Sequence, residues 1–202
     1  MPAPYRRRFR TSSTLGHEFT EGRHRFEHWY RDNTVYFVTA RYRDRYPAFD
    51  SEPAKQIFWD RFDHYTKQFD FVPWIATVMN NHYHFEGYLK VGENLGPMMQ
   101  RLHGSVAKLV NDLLPERRLP FWRGRGRRDY FDGCLRDDLQ GRRAYRYTWR
   151  QSVRAGLCRD PKDYPQTRVY IDLDRAIGRA LELNAFMEGV PYLRYERGLD
   201  IP

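Results

Sequence analysis

Apolar and polar positions change their period several times along this chain, and each change marks an element. Thr34-Val35-Tyr36-Phe37-Val38-Thr39 is a β-branched and aromatic run bounded by polar residues, which predicts a first strand. Pro53 suits a helix start, and Phe58, Phe62, Tyr65 and Phe69 then recur at helical spacing, predicting a helix through Gln68. A second strand follows from Phe71 to Met79, with Pro73 marking an irregular start or a sheet edge. A third begins at His82 and runs to about Lys90. Between them, Asn80-Asn81 tolerates the positive φ of a tight hairpin turn. Asn94 can cap a second helix, along which Met99, Leu102, Val106, Leu109 and Leu113 form an apolar stripe ending at Leu114. Tyr130 to Leu135 reads as a fourth strand. Asp137 or Asp138 then caps a third long helix reaching Ala155, closed by Gly156 as a left-handed terminator.

The order strand, helix, strand, strand, helix, strand, helix is that of the split β-α-β repeat. It predicts an α+β fold: a ferredoxin-like, RRM-like antiparallel sheet (βαββαβ plus a tyrosine-bearing helix) with helices on one face. The strand that starts at His82 lies near the middle of that sheet. Residues 1–30, with Arg6-Arg7-Arg8 and Arg10, form a basic arm with no apolar stretch behind it, so not a secretory signal. Residues 31–166 carry the folded domain. Residues 167–202 are an extension with a short helix from Asp172 to Met187.

Charge narrows the partner. Across 202 residues, 35 Lys+Arg face 26 Asp+Glu, for a net charge of +9. That balance calls for a polyanion: nucleic acid first, an anionic membrane surface second. The bias toward Arg, which forks onto phosphates and stacks on bases, favours nucleic acid. No apolar run reaches the roughly 20 residues of a membrane span. Cys134 and Cys158 stand alone in no metal-ligand spacing, as reduced residues of a cytosolic protein do. The loop from Pro115 to Arg128 interleaves arginines, Arg123, Arg125, Arg127 and Arg128 among them, with Phe121 and Trp122, the composition of a nucleic-acid contact.

Chemistry concentrates at two places. Side chains alternate along a strand, so His82 and His84 project from the same face and can share one divalent metal; the alternative is a pair of buried, hydrogen-bonded histidines. Far downstream, residues 142–159 hold six arginines and no acid. Tyr147 and Gln151 are four apart there, and at about 100° per residue Gln151 sits ~40° to one side of Tyr147 and Arg154 ~20° to the other. A tyrosine, an amide and several guanidinium groups, including Arg143 and Arg150, thus share a helix face that an anion would relieve of repulsion. Tyr145 faces elsewhere. His64 and His103 fall in helices away from this pairing and read as structural. Glu86, two residues past His84, is either a further ligand, a partner of the ligands, or a strand-surface carboxylate.

His82-Tyr83-His84 after the Asn turn resembles the histidine–hydrophobic–histidine motif of HUH enzymes. Tyr147-Thr148-Trp149-Arg150-Gln151, leading to Val153-Arg154-Ala155-Gly156-Leu157 and Asp163-Tyr164-Pro165, is similar to the catalytic-tyrosine helix of single-tyrosine HUH transposases. The likeness is to the insertion-sequence-200-like enzymes, above all their REP-associated tyrosine transposase branch. Tyr36-Phe37-Val38-Thr39, Pro120-Phe121-Trp122 and Tyr130-Phe131-Asp132 extend it over about residues 33 to 166. The sequence departs from the family at Met79-Asn80-Asn81, where Met-Pro-Asn is common, and at Gln151-Ser152, where Asn-Pro is common. The resemblance implies cleavage and rejoining of hairpin single-stranded DNA by transesterification through a 5′-phosphotyrosine, in support of DNA transposition. Tyr147 is then the nucleophile; His82, His84 and Gln151 hold Mg²⁺ or Mn²⁺; Arg143, Arg150 and Arg154 position phosphates with the arginine loop and Trp122. It also implies a cytoplasmic, nucleoid-associated protein, as monomer or homodimer, with no membrane partner. Two alternatives stay open: a domesticated nickase that processes chromosomal palindromic repeats, and a non-catalytic nucleic-acid-binding module. A metal hydrolase built on the two histidines is weaker, since carboxylate ligands are not evident.

Overall fold

The structure, a computed structural model, describes residues 30–122, 129–135 and 138–173. Strand β1 is Thr34–Arg41, helix α1 Glu52–Gln68, β2 Phe71–Val78, β3 His82–Leu89, α2 Leu95–Asn111 and β4 Phe131–Cys134. Helices α3 (Asp138–Trp149) and α4 (Gln151–Arg154) follow, then β5 (Thr167–Val169). The sheet is antiparallel throughout, in the order β4-β1-β3-β2-β5, so β3 is central as expected. Helices α1 and α2 cover one face. Phe58, Trp59 and Phe62 of α1 and Met98, Met99, Leu102 and Val106 of α2 pack there on Tyr83, Phe85 and Leu89 of β3. Each such side chain contributes about 1.5–3 kcal/mol of burial, so Phe62→Ala alone costs about 3–5 kcal/mol.

Local chemistry explains the element ends. The Ser51 hydroxyl accepts from the Ala54 amide at the start of α1, where Pro53 lacks a donor to lose. Asn94 does not cap α2; its side chain donates instead to the Phe69 carbonyl at 3.3 Å, and a 3-10 turn over Gly92–Asn94 leads into the helix. That helix ends at Asn111, short of Leu114. Its buried stripe passes through Val110, because four-residue steps from Leu102 and Val106 lead there, while Leu113 is exposed. Pro73 sits where the β2–β3 register shifts, beyond the reach of β5, which pairs only with Ile75 to Thr77. Strand β5 itself extends the sheet past residue 166, so the folded domain does not stop at that boundary. Of the extension and the basic arm, residues 174–202 and 1–29 lie outside the described residues.

The third helix takes the second face of the sheet. Gly141 is buried against β3, and a Cβ built on it would meet Glu86 Oε1 at 3.7 Å. Thr148 and Ser152, buried about two and three turns further on, continue this small-residue stripe and allow close approach. The helix is not continuous to Ala155. It breaks at Arg150 (φ −92°, ψ 6°), where the Gln151 side chain donates to the Tyr147 carbonyl at 3.1 Å. Gly156 then terminates α4 at φ 70° as expected, with Leu157 N–H reaching back to the Ser152 carbonyl at 2.9 Å.

Candidate active site

The hairpin between β2 and β3 works differently from the turn that its two asparagines predict. Neither adopts positive φ; they act as hydrogen-bond clips. Asn80 Nδ2 donates to Asp50 Oδ1 at 2.7 Å, and Asn81 Nδ2 donates to the Arg45 carbonyl at 3.0 Å. That second bond fixes which way the Asn81 amide faces. Its Oδ1, an acceptor only, then lies 2.6 Å from His82 Nδ1, so His82 carries its proton on Nδ1 and leaves the Nε2 lone pair open.

Register puts the rest in place. His84 lies between Thr39 of β1 and Thr77 of β2, and His82 opposite Arg41. The two imidazoles stand 5.0 Å apart, nearly perpendicular. Phe37 of β1 stacks on His84 at 5.8 Å, and the Tyr147 ring meets His84 edge-on at 5.2 Å. Tyr147 is 39% exposed, while Arg154 places its guanidinium 5.2 Å from the ring centroid. Gln151, with its amide nitrogen committed to the Tyr147 carbonyl, offers His82 the amide oxygen. The structure therefore brings Tyr147, His82, His84, Gln151 and Arg154 together from a strand and a helix far apart in sequence.

Electrostatics keep both imidazoles neutral. Burial, then the Arg41 charge, lowers His82 to about 4, with Gln151 partly opposing. Burial also holds His84 well below the usual histidine range, helped by His82 and Arg41. Both ring nitrogens of His84 are buried without a hydrogen-bond partner. Unprotonated nitrogens without internal partners are what a cation ligand requires. Two imidazoles and one amide oxygen, all neutral, thus fit one divalent ion. Glu86 is no surface carboxylate. It is fully buried under Gly141, without a hydrogen-bond partner, and burial pushes its carboxyl up to about 8. Nor does it complete a ligand set, since no three His, Cys, Asp or Glu side chains converge among the described residues.

Several expected contacts fall elsewhere. Trp122 is 6% exposed: its ring stacks on His103 at 4.2 Å and its indole N–H donates to the His103 carbonyl. A ring so enclosed presents no face to a base. Arg142, first in the arginine stripe, is paired with Asp138 at 2.9 Å. Arg143 and Arg150 are both exposed. Tyr145 donates its hydroxyl to the Ile171 carbonyl at 2.8 Å, a structural use. Arg123, Arg125, Arg127 and Arg128 lie outside the described residues. Cys134 and Cys158 form no disulfide. No helix among the described residues is long and apolar enough to cross a membrane.

Comparison with solved structures agrees with this architecture. The chain is similar to a REP-associated tyrosine transposase bound to a REP hairpin, with a TM-score of 0.61 over 75% of this chain and 86% of that one, at 16% identity. The chain shares the fold of that transposase. A putative transposase from Deinococcus radiodurans also matches, over 68% of this chain and 97% of that one at 13% identity, but its TM-score of 0.41 is too low to bear on the fold. No protein-family model and no curated protein matches the sequence.

Proposed function

We propose that this protein cleaves and rejoins single-stranded DNA at a hairpin, with Tyr147 as nucleophile. The observation that carries this reading is the meeting of Tyr147 with two neutral, partner-poor histidines across the sheet–helix interface. In the forward step the Tyr147 oxygen gives up its proton and attacks phosphorus. The bond from phosphorus to the 3′ oxygen breaks, that oxygen leaves as a 3′-hydroxyl, and a 5′-phosphotyrosine diester remains. Attack of a 3′-hydroxyl on the diester reverses the sequence without ATP, because the energy of the broken ester is retained. Arg154, over the Tyr147 ring, is the cation beside the developing phenolate and the scissile phosphate. Arg143 of α3 and Arg150 at the break before α4 position flanking phosphates, as would Arg123, Arg125, Arg127 and Arg128 of the arginine-rich loop.

One divalent cation held by His82, His84 and Gln151 would supply charge that polarises the scissile phosphate. Two nitrogen donors and one oxygen suit Mn²⁺ better than the oxygen-seeking Mg²⁺. Hairpin DNA as partner follows from the motifs and from the REP hairpin on the similar transposase. Transposition is the corresponding role. The test is incubation with end-labelled hairpin oligonucleotide and Mn²⁺, resolved on a denaturing gel. A covalent protein–DNA band that disappears in Tyr147→Phe is expected. Absence of the band with the native protein, or its persistence in Tyr147→Phe, overturns the reading.

A further inference from the structure

A second basic pocket lies beyond the C-terminal end of β1, away from Tyr147. Tyr42, Arg43, Asp44, Arg117, Arg118 and Leu119, with Pro120, line a cavity of about 210 Å³. Its two walls are chain segments locked together. The Arg43 amide donates to the Phe121 carbonyl at 3.0 Å, and Tyr42 bridges to Trp122. Arg43 Nη1 reaches the Leu119 carbonyl at 3.4 Å, and Arg118 lies over the Tyr46 ring at 4.1 Å with its own amide held by Asn111. Stacking of that kind fixes a guanidinium while leaving its N–H fork in plane for an anion. Asp44 is the one acid in the wall; it pairs with Arg43 at 3.4 Å, so two of the three positive charges are left over.

What points to a ligand is Tyr42. The residue is 1% exposed, and its hydroxyl is buried with no hydrogen-bond partner. Arg118, Asp44 and Arg43 of the wall act on that hydroxyl together with Tyr46, and Tyr42 itself lines the cavity, so the polar end of the ring is the end at the cavity. A buried hydroxyl left unsatisfied costs about 1–3 kcal/mol, which a bound acceptor would recover. At about 210 Å³ the cavity falls below the ~300–1,000 Å³ of a cofactor site and suits a single anionic group. Leu119, 68% exposed at its edge, offers apolar contact to a sugar or base.

We infer that Arg43, Arg117, Arg118 and Tyr42 form a phosphate-binding subsite that takes a backbone phosphate of single-stranded DNA outside the cleavage site. Arg43 is two residues past Arg41, which pairs with His82, so a strand crossing the histidines continues toward it. This inference rests on the single-stranded-DNA reading for the source of the phosphate. Binding therefore is measured without divalent metal, where no cleavage is required: anisotropy of a labelled oligothymidine against the full chain from 50 to 300 mM salt, with thermal shift in inorganic phosphate alongside. R43Q/R117Q should weaken binding about tenfold at low salt and flatten the log–log salt slope by ~0.7 for each phosphate no longer neutralised. Y42F, which removes one unbonded oxygen and no charge, should weaken binding about threefold with the slope and melting temperature unchanged. R101Q, on the exposed side of α2, should do neither. The inference is overturned if R43Q/R117Q matches R101Q, if Y42F binds like the native chain, or if phosphate stabilises the protein while the oligonucleotide is indifferent to both changes. If the native chain fails to bind the oligonucleotide at all, the DNA reading falls together with the subsite.

Discussion

The two faces of β3 each carry imidazole chemistry, and they use it in opposite ways. On the inner face His103 of α2 accepts from the buried Tyr83 hydroxyl at Nε2 and donates from Nδ1 to Asp129 at 2.8 Å. Both nitrogens are spent inside the protein. On the outer face His82 donates from Nδ1 to Asn81 in the same tautomer, which leaves its Nε2 lone pair open, and His84 bonds with neither nitrogen. Burial depresses the basicity of all three, so depressed basicity alone does not mark a functional histidine. The mark is the lone pair that the fold leaves unspent.

The largest test of this contrast lies at Tyr147. Its phenol is exposed beside His84, whereas Tyr145, two residues earlier, gives its hydroxyl to Ile171. Tyr147→Phe should reduce cleavage by at least ~10⁴-fold, as loss of a nucleophile does, with unchanged melting temperature. Tyr145→Phe should leave cleavage intact and cost about 1 kcal/mol of stability. Single-turnover cleavage and urea titration separate the two, and the reverse pattern would remove Tyr147 from the site.

Next comes exchange of the histidines themselves. His84→Leu removes two unsatisfied nitrogens, so stability should hold or rise by up to ~1 kcal/mol while cleavage disappears. His103→Leu strands the Tyr83 hydroxyl in the core and should cost about 2–4 kcal/mol, with the folded fraction still cleaving. Loss of stability in both, or of activity in both, would erase the distinction between the faces.

Acid provides a third test. A histidine whose folded pKa is depressed binds its proton more readily once unfolded, so stability is retained above the unfolded value and lost as pH falls below it. For His82 that window runs from about 6.5 down to about 4, a ceiling of ~3 kcal/mol. His82→Gln should therefore match the native chain at pH 7.5 and gain on it steadily toward pH 4. A constant gap across that range would mean that His82 is not held neutral by the fold.

Much of this contrast is legible in the sequence because it rests on period. Alternation alone puts His82, His84 and Glu86 on one face of a strand, and four-residue spacing alone aligns Tyr147 with Gln151. What period does not give is depth and occupancy. Trp122 among arginines has the composition of a DNA contact, yet a bridge to Tyr42 folds it onto His103. Glu86 has the look of a surface carboxylate until Gly141 brings a helix down on it. The stripe Gly141, Thr148, Ser152 is the available signal for that packing, since small residues at helical spacing permit close approach to a sheet. Asn80-Asn81 signals a turn in sequence, but only the fold shows that Asn81 sets the tautomer of its neighbour.

The smallest effect is expected at Gln151, and it tests how the two halves of the site are joined. This residue has two tasks: its nitrogen caps the Tyr147 carbonyl where the helix breaks, and its oxygen faces His82. Gln151→Ala removes both and should weaken Mn²⁺ binding roughly 10–100-fold, the range seen when a metal site loses a supporting group. Gln151→Glu keeps an oxygen ligand, adds a charge and loses the donor to Tyr147. Mn²⁺ affinity by electron paramagnetic resonance should then recover or exceed the native value, while cleavage stays slow, because an anionic ligand reduces the net charge felt by the phosphate. If Ala leaves Mn²⁺ affinity unchanged, Gln151 is a helix cap alone and the histidines must bind the ion without it.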